Sequence, residues 1–157
     1  AVEFLKEVDA INLRARQRII ELVRKDLSDD LQGKKVAILG AAFKPDSDDV
    51  RDSPALDIAA QIQAAGAVVT VHDPKAIVNA QKRFPALKFA EDIDNTLKDA
   101  EIVLHLTEWK IYREIDPVKA KSLVKSAIMI DGRNALDRTT WQSAGWKFRA
   151  LGRANNE

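Results

Sequence analysis

The sequence has no cysteine. Within these 157 residues, that excludes disulfides, thiolate catalysis and cysteine-bound zinc. It also fits a reducing compartment, so a cytoplasmic location is expected. No apolar run approaches the roughly 20 residues that a membrane span needs. The N-terminus, Ala-Val-Glu-Phe-Leu-Lys, lacks both an initiator Met and a signal-peptide pattern, and it runs directly into a helical pattern. It therefore reads as a piece of a longer protein. No charge excess exists either: 25 basic and 24 acidic residues leave a net charge of +1. Such balance argues against nucleic acid or an anionic membrane as partner, so any anion must be held by locally placed cations. Internal repeats, low-complexity tracts, metal-ligand spacing, paired carboxylates and a Ser/His/Asp pattern are all lacking.

What is present is alternation. Residues 3–27 form one long amphipathic pattern, with Phe4, Val8, Ile11, Ala15, Ile19, Leu22 and Val23 at helical spacing. At 1.5 Å per residue such a helix is about 37 Å long, enough to link two domains or to pack on a second copy. Beyond it, strands are predicted at 35–40, 68–72, 87–89, 101–107, 127–130 and 147–151. Helices are predicted at 54–65, 75–82, 92–98, 117–125 and 137–144. Ser53-Pro54 supplies an N-cap and a first-turn proline, and Gly66 an exit. Strands alternating with helices imply an α/β, Rossmann-like, doubly wound and mainly parallel sheet of five to six strands. The expected organisation is a linker or dimerisation helix with its loop over 1–33, followed by a Rossmann-like domain over 34–157.

In a parallel sheet the strand exits gather on one rim, where open α/β sheets bind ligands. That rim carries Lys44, Arg51, Asp73, Thr107, Glu108, Trp109, Asp131, Arg133 and Asn134. Its first loop, residues 40–54, is charged and poor in glycine: Gly40 is followed by Ala41, Ala42 and Phe43. A dinucleotide fingerprint needs three glycines so that backbone N–H groups can approach a pyrophosphate. Phosphate bound here would depend instead on cations such as Lys44, which suits phosphate as a point charge. Alternatively Lys44 and Arg51 merely pair with Asp46, Asp48, Asp49 and Asp52. Arg133, in Asp131-Gly132-Arg133-Asn134, can grip phosphate with two prongs or belong to a plain Asp-Gly turn. Asp73 stands where a Rossmann fold puts its ribose-binding acid, yet Asp-Pro is an ordinary turn opener, and the turn is the favoured reading. Trp109, Trp141 and Trp146 read as packing residues. His72 and His105 have no partner nearby in sequence and read as structural.

Several segments together resemble one family. They are Ile11-Asn12, the run from Ala37 through Lys44-Pro45-Asp46 to Ser53-Pro54, Asp73-Pro74, Thr107-Glu108-Trp109, and Asp131-Gly132-Arg133-Asn134-Ala135-Leu136-Asp137. They are similar to the C-terminal part of the nucleotide-sugar dehydrogenases, and the Thr-Glu-Trp and Asp-Gly-Arg-Asn motifs point to the UDP-glucose 6-dehydrogenase branch. The resemblance implies oxidation of the sugar C6 alcohol to a carboxylate with two NAD+, through a cysteine thiohemiacetal and thioester. It places the catalytic cysteine, and most of the NAD site, in an N-terminal domain of the same protein, so this part alone is expected to bind rather than catalyse. It assigns Phe43, Lys44 and Arg133 to the UDP-sugar and Arg51 to the NAD pyrophosphate at the domain seam. It assigns a homodimer interface to residues 3–27, and no catalytic residue or metal to this part. Ser47 stands where the motif commonly has threonine. The alternatives are another nucleotide sugar, such as GDP-mannose or UDP-N-acetylmannosamine, and a stand-alone nucleotide-binding or dimerisation module.

Overall fold

The computed structural model describes residues 2–151, with side chains from Leu13 onward. The expected apolar positions Phe4, Val8 and Ile11 and the Ile11-Asn12 motif lie outside these described side chains. The chain runs α1 (Val2–Asp26), β1 (Lys35–Leu39), α2 (Pro54–Ala64), β2 (Val68–His72), α3 (Ile77–Arg83), β3 (Lys88–Phe89), α4 (Ile93–Leu97), β4 (Ile102–His105), α5 (Lys110–Arg113), α6 (Pro117–Leu123), β5 (Ile128–Asp131), α7 (Arg138–Ser143) and β6 (Lys147–Ala150). All six strands are parallel, in the order β3-β2-β1-β4-β5-β6. The chain starts in the middle, winds one way to β3 and then returns to β4. The order therefore reverses between β1 and β4, and the crevice at their carboxyl ends is the topological switch point.

The apolar runs explain this architecture. β4 is buried at every position and β1 at all but its first, as strands covered on both faces must be. Ser53 starts α2: its Oγ accepts from the Leu56 amide and donates to the Ala41 carbonyl at 2.7 Å, joining the helix cap to the loop after β1. Helix α1 belongs to the same core at its C-terminal end, where Ile19, Leu22, Val23 and Leu27 are buried. The Asp26 side chain, fully buried, accepts two prongs from buried Arg149 on β6 at 2.9–3.1 Å and a contact from Lys147 at 2.9 Å. Burial raises the Asp26 carboxyl pKa, but its bonds to Arg149 and Lys147 outweigh burial and leave it below the usual range.

Helix α5 is the element that the sequence pattern does not give. It has four residues and no side-chain cap, and it exists because fully buried Tyr112 anchors it. Helix α3 begins at Ile77 rather than 75 because Asp73 holds the Lys75 and Ala76 amides in a turn.

Candidate functional site

Three loops meet at the switch point, and an internal carboxylate organises two of them. Asp73 directly follows β2 and is 2% exposed. Its Oδ2 accepts from the Ala41 and Ala42 amides at 2.9 and 3.0 Å and from the Trp109 indole at 3.1 Å. Its Oδ1 accepts from the Lys75 and Ala76 amides at 2.9 and 2.8 Å. In a dinucleotide-binding loop the amides just after β1 are the ones that face a pyrophosphate. Here they are already taken by an anion of the protein itself. Asp73 is thus a turn former, as expected, but it also ties the β1, β2 and β4 loops together. Trp109 packs, as expected, and serves as one of its donors.

Gly40 and Thr107 close the floor of the crevice. Gly40 has φ +113, and a Cβ there would lie 2.5 Å from the Thr107 Cβ and backbone nitrogen. Only glycine permits that approach. Thr107 Oγ1 donates to the Ala42 carbonyl at 2.9 Å.

The third loop, after β5, depends on Asp131. Its side chain is fully buried and accepts from the amides of Arg133, Ala135 and Leu136 at 2.8–3.0 Å. His105, also fully buried, lies with Nδ1 2.8 Å from Asp131 Oδ1. A carboxylate can only accept, so Nδ1 carries the proton. Burial raises the Asp131 pKa, but the His105 contact and the loop amides outweigh it and leave it lowered. A Cβ at Gly132 would lie 2.9 Å from the side-chain ends of both Ile19 of α1 and Leu106, so a larger residue there would have to displace them. Asn134 adopts φ +55, which asparagine tolerates better than most residues.

The two histidines have partners distant in sequence. His72 Nδ1 lies 2.7 Å from the Tyr112 hydroxyl, and the Tyr112 ring stands edge-on to both His72 and His105. Burial lowers the His72 pKa against the pull of Asp73. Burial and Asp73 together raise the Tyr112 hydroxyl well above its usual range. Among the described residues no group of His, Asp and Glu side chains could hold a metal ion.

The four nominated residues divide. Phe43 is 47% exposed and Lys44 is exposed beside it. The Phe43 amide donates to the Asp49 carbonyl at 2.8 Å, which folds the loop back on itself. Lys44 forms no ion pair among the described residues. Arg51 does: Nε and Nη2 contact Asp49 at 3.0 and 2.9 Å. The Arg51 contacts hold the Asp49 carboxyl down at about 2. The simple pairing alternative therefore applies to Arg51 and not to Lys44. Arg51 lines a groove of about 490 Å³ with Asp48, Asn79, Lys82 and Arg83. Arg133 instead lines a small cavity of about 40 Å³ with Arg16, Ile19, Pro54 and Leu106. Its Nε and Nη2 donate to Glu108 Oε2 at 3.1 and 3.0 Å. Arg16 was not foreseen as a neighbour of this rim; its place on the charged face of α1 gave no signal.

Residues 37–138 match the family model described as UDP-glucose/GDP-mannose dehydrogenase family, UDP binding domain. The chain belongs to that family. It is 32% identical over 152 residues to a UDP-glucose 6-dehydrogenase of Rhizobium meliloti, covering 97% of this chain and 35% of the relative. It is 34% identical over 151 residues to the UDP-glucose 6-dehydrogenase TuaD of Bacillus subtilis, covering 94% and 33%. Among solved structures, a UDP-glucose dehydrogenase from Pyrobaculum islandicum superposes with a TM-score of 0.80 at 29% identity, covering 95% of this chain and 32% of that one. The chain thus spans about a third of the length of the curated relatives it matches. Among the described residues no helix is long and apolar enough to cross a membrane.

Proposed function

We propose that residues 34–157 are the UDP-sugar-binding domain of a UDP-glucose 6-dehydrogenase, and that this chain binds its ligand without catalysing. One observation carries the reading. The main-chain amides that would hold a phosphate are consumed by Asp73, while Lys44, without an ion pair among the described residues, and exposed Phe43 stand on the same loop. Side-chain cations then do the gripping: Lys44 and Arg133 hold the diphosphate, and Phe43 packs on the UDP-sugar. The same observation bears on NAD. With the Gly40, Ala41, Ala42 and Phe43 amides all engaged inside the protein, the turn after β1 does not fit a dinucleotide, and the cofactor is held mainly by an N-terminal NAD-binding domain of the same protein. Arg51 contributes at the seam, exchanging Asp49 for the NAD pyrophosphate. The working location is the cytoplasm.

The test is calorimetric titration of UDP into this chain and into Lys44→Ala and Arg133→Ala. A charge-assisted hydrogen bond contributes about 1.5–3 kcal/mol, so each variant should bind about 10- to 100-fold more weakly. Parent-like binding by both variants removes the site. Residues 1–33 serve as linker and homodimer interface, a reading supported by Leu13, 56% exposed on α1. Light scattering should find a dimer, and a monomer at high concentration refutes that part.

A further inference from the structure

Arg133 is held by its neighbour in a particular way. Glu108 is the third residue of the loop after β4, and both flanking residues are pinned. Thr107 is bonded to the Ala42 carbonyl, and Trp109 bonds Asp73 through its indole and the Thr107 carbonyl through its amide. The Glu108 backbone is thereby fixed relative to the loop that carries Phe43 and Lys44. Its carboxylate spends one oxygen, Oε2, on two donors of Arg133, Nε and Nη2. The other oxygen, Oε1, is buried without a hydrogen bond among the described residues. An exposed ion pair of maximal stability would use both oxygens, so stability alone does not account for this geometry. Its effect is on the arginine. One side of the planar guanidinium is tied down. The other side, Nη1 with the remaining Nη2 hydrogen, is left for a second anion, since Nη1 has no partner among the described residues.

We propose that Glu108 is a positioning residue, which clamps Arg133 so that its free edge meets the diphosphate; this rests on the reading that Arg133 grips that diphosphate. Two opposite effects follow. Orientation strengthens binding because the long arginine side chain is ordered before the ligand arrives. Negative charge beside an anion site weakens it.

Conservative variants separate the two. Glu108→Gln keeps an acceptor oxygen at the same reach and removes the charge. Glu108→Asp keeps the charge and falls one methylene short. Glu108→Ala loses both. In UDP titrations of this chain, the expected order is Gln equal to or a few-fold tighter than parent, parent next, and Asp and Ala about 5- to 10-fold weaker. In an Arg133→Ala background, Glu108→Ala should cause no further loss. A charge that only repels would give parent-like Asp and tighter Ala, and either result overturns the clamp. Should Ala not fold, the Gln and Asp variants decide alone. If Arg133→Ala binds UDP as the parent does, the functional reading fails and takes the clamp with it. If Arg133→Ala is weak while Glu108→Asp matches the parent, the clamp alone fails.

Discussion

Asp73→Asn is the sharpest test of how this rim is built. The carboxylate receives five hydrogen bonds: three on one oxygen, from Ala41, Ala42 and Trp109, and two on the other, from Lys75 and Ala76. Asparagine has one acceptor oxygen. Turned toward the three donors, it sets its own NH2 against the Lys75 and Ala76 amides, and both lose their acceptor. A buried donor left unsatisfied costs about 1–3 kcal/mol, so the substitution should cost about 2–6 kcal/mol. Total stability for a domain of this size is about 5–15 kcal/mol. Asp73→Asn should therefore remain folded with a clearly reduced denaturation midpoint, whereas Asp73→Ala, which strands all five donors, should not fold stably. Urea unfolding followed by far-UV circular dichroism gives the free energy by linear extrapolation. A loss under about 1 kcal/mol for Asp73→Asn would refute the reasoning, because it would mean that the loop amides have other acceptors.

Two further outcomes follow from the structure. Gly40→Ala combines φ +113 with a Cβ driven into Thr107, and should cost about 2–4 kcal/mol in the same unfolding assay; a neutral substitution would show that β1 and β4 can part without penalty. Stability should also fall on acidification in two stages. The folded His72 pKa is depressed by burial, so the unfolded chain takes up that proton first and stability declines as pH drops below about 6.5. Asp26 and Asp131 are depressed below 3.8, so their contribution is intact above that value and is lost as pH falls through their lower folded values. Midpoints measured between pH 3 and 8 should show both limbs, with Asp26→Asn flattening the lower one. Stability that rises between pH 7.5 and 5.5 would contradict the His72 assignment.

The fold was legible because the central strands of this sheet are covered on both faces. Runs such as Val36–Leu39 and Ile102–Leu104 are apolar without interruption, and proline or a capping residue marks the starts of α2 and α6. What escaped was set by contacts far apart in sequence. Helix α5 depends on Tyr112 meeting His72, 40 residues away. The pairing of His105 with Asp131 spans 26 residues, so each looked isolated when read along the chain.

The site was legible to a lesser degree, and for a specific reason. Its cations could be nominated from loop position, since strand exits collect on one rim. Which cation is free is decided by carboxylates that the same rim supplies in excess, and spacing does not rank them. Asp49 lies two residues from Arg51 and takes it; Glu108, 25 residues from Arg133, takes one side of that arginine only; Lys44 forms an ion pair with none among the described residues. Asp73, read as a turn, turned out to decide more than any cation, because it removes the main-chain anion site. The rim is thus specified twice: by carboxylates that close it to a phosphate on bare amides, and by the positive side chains those carboxylates leave unspent.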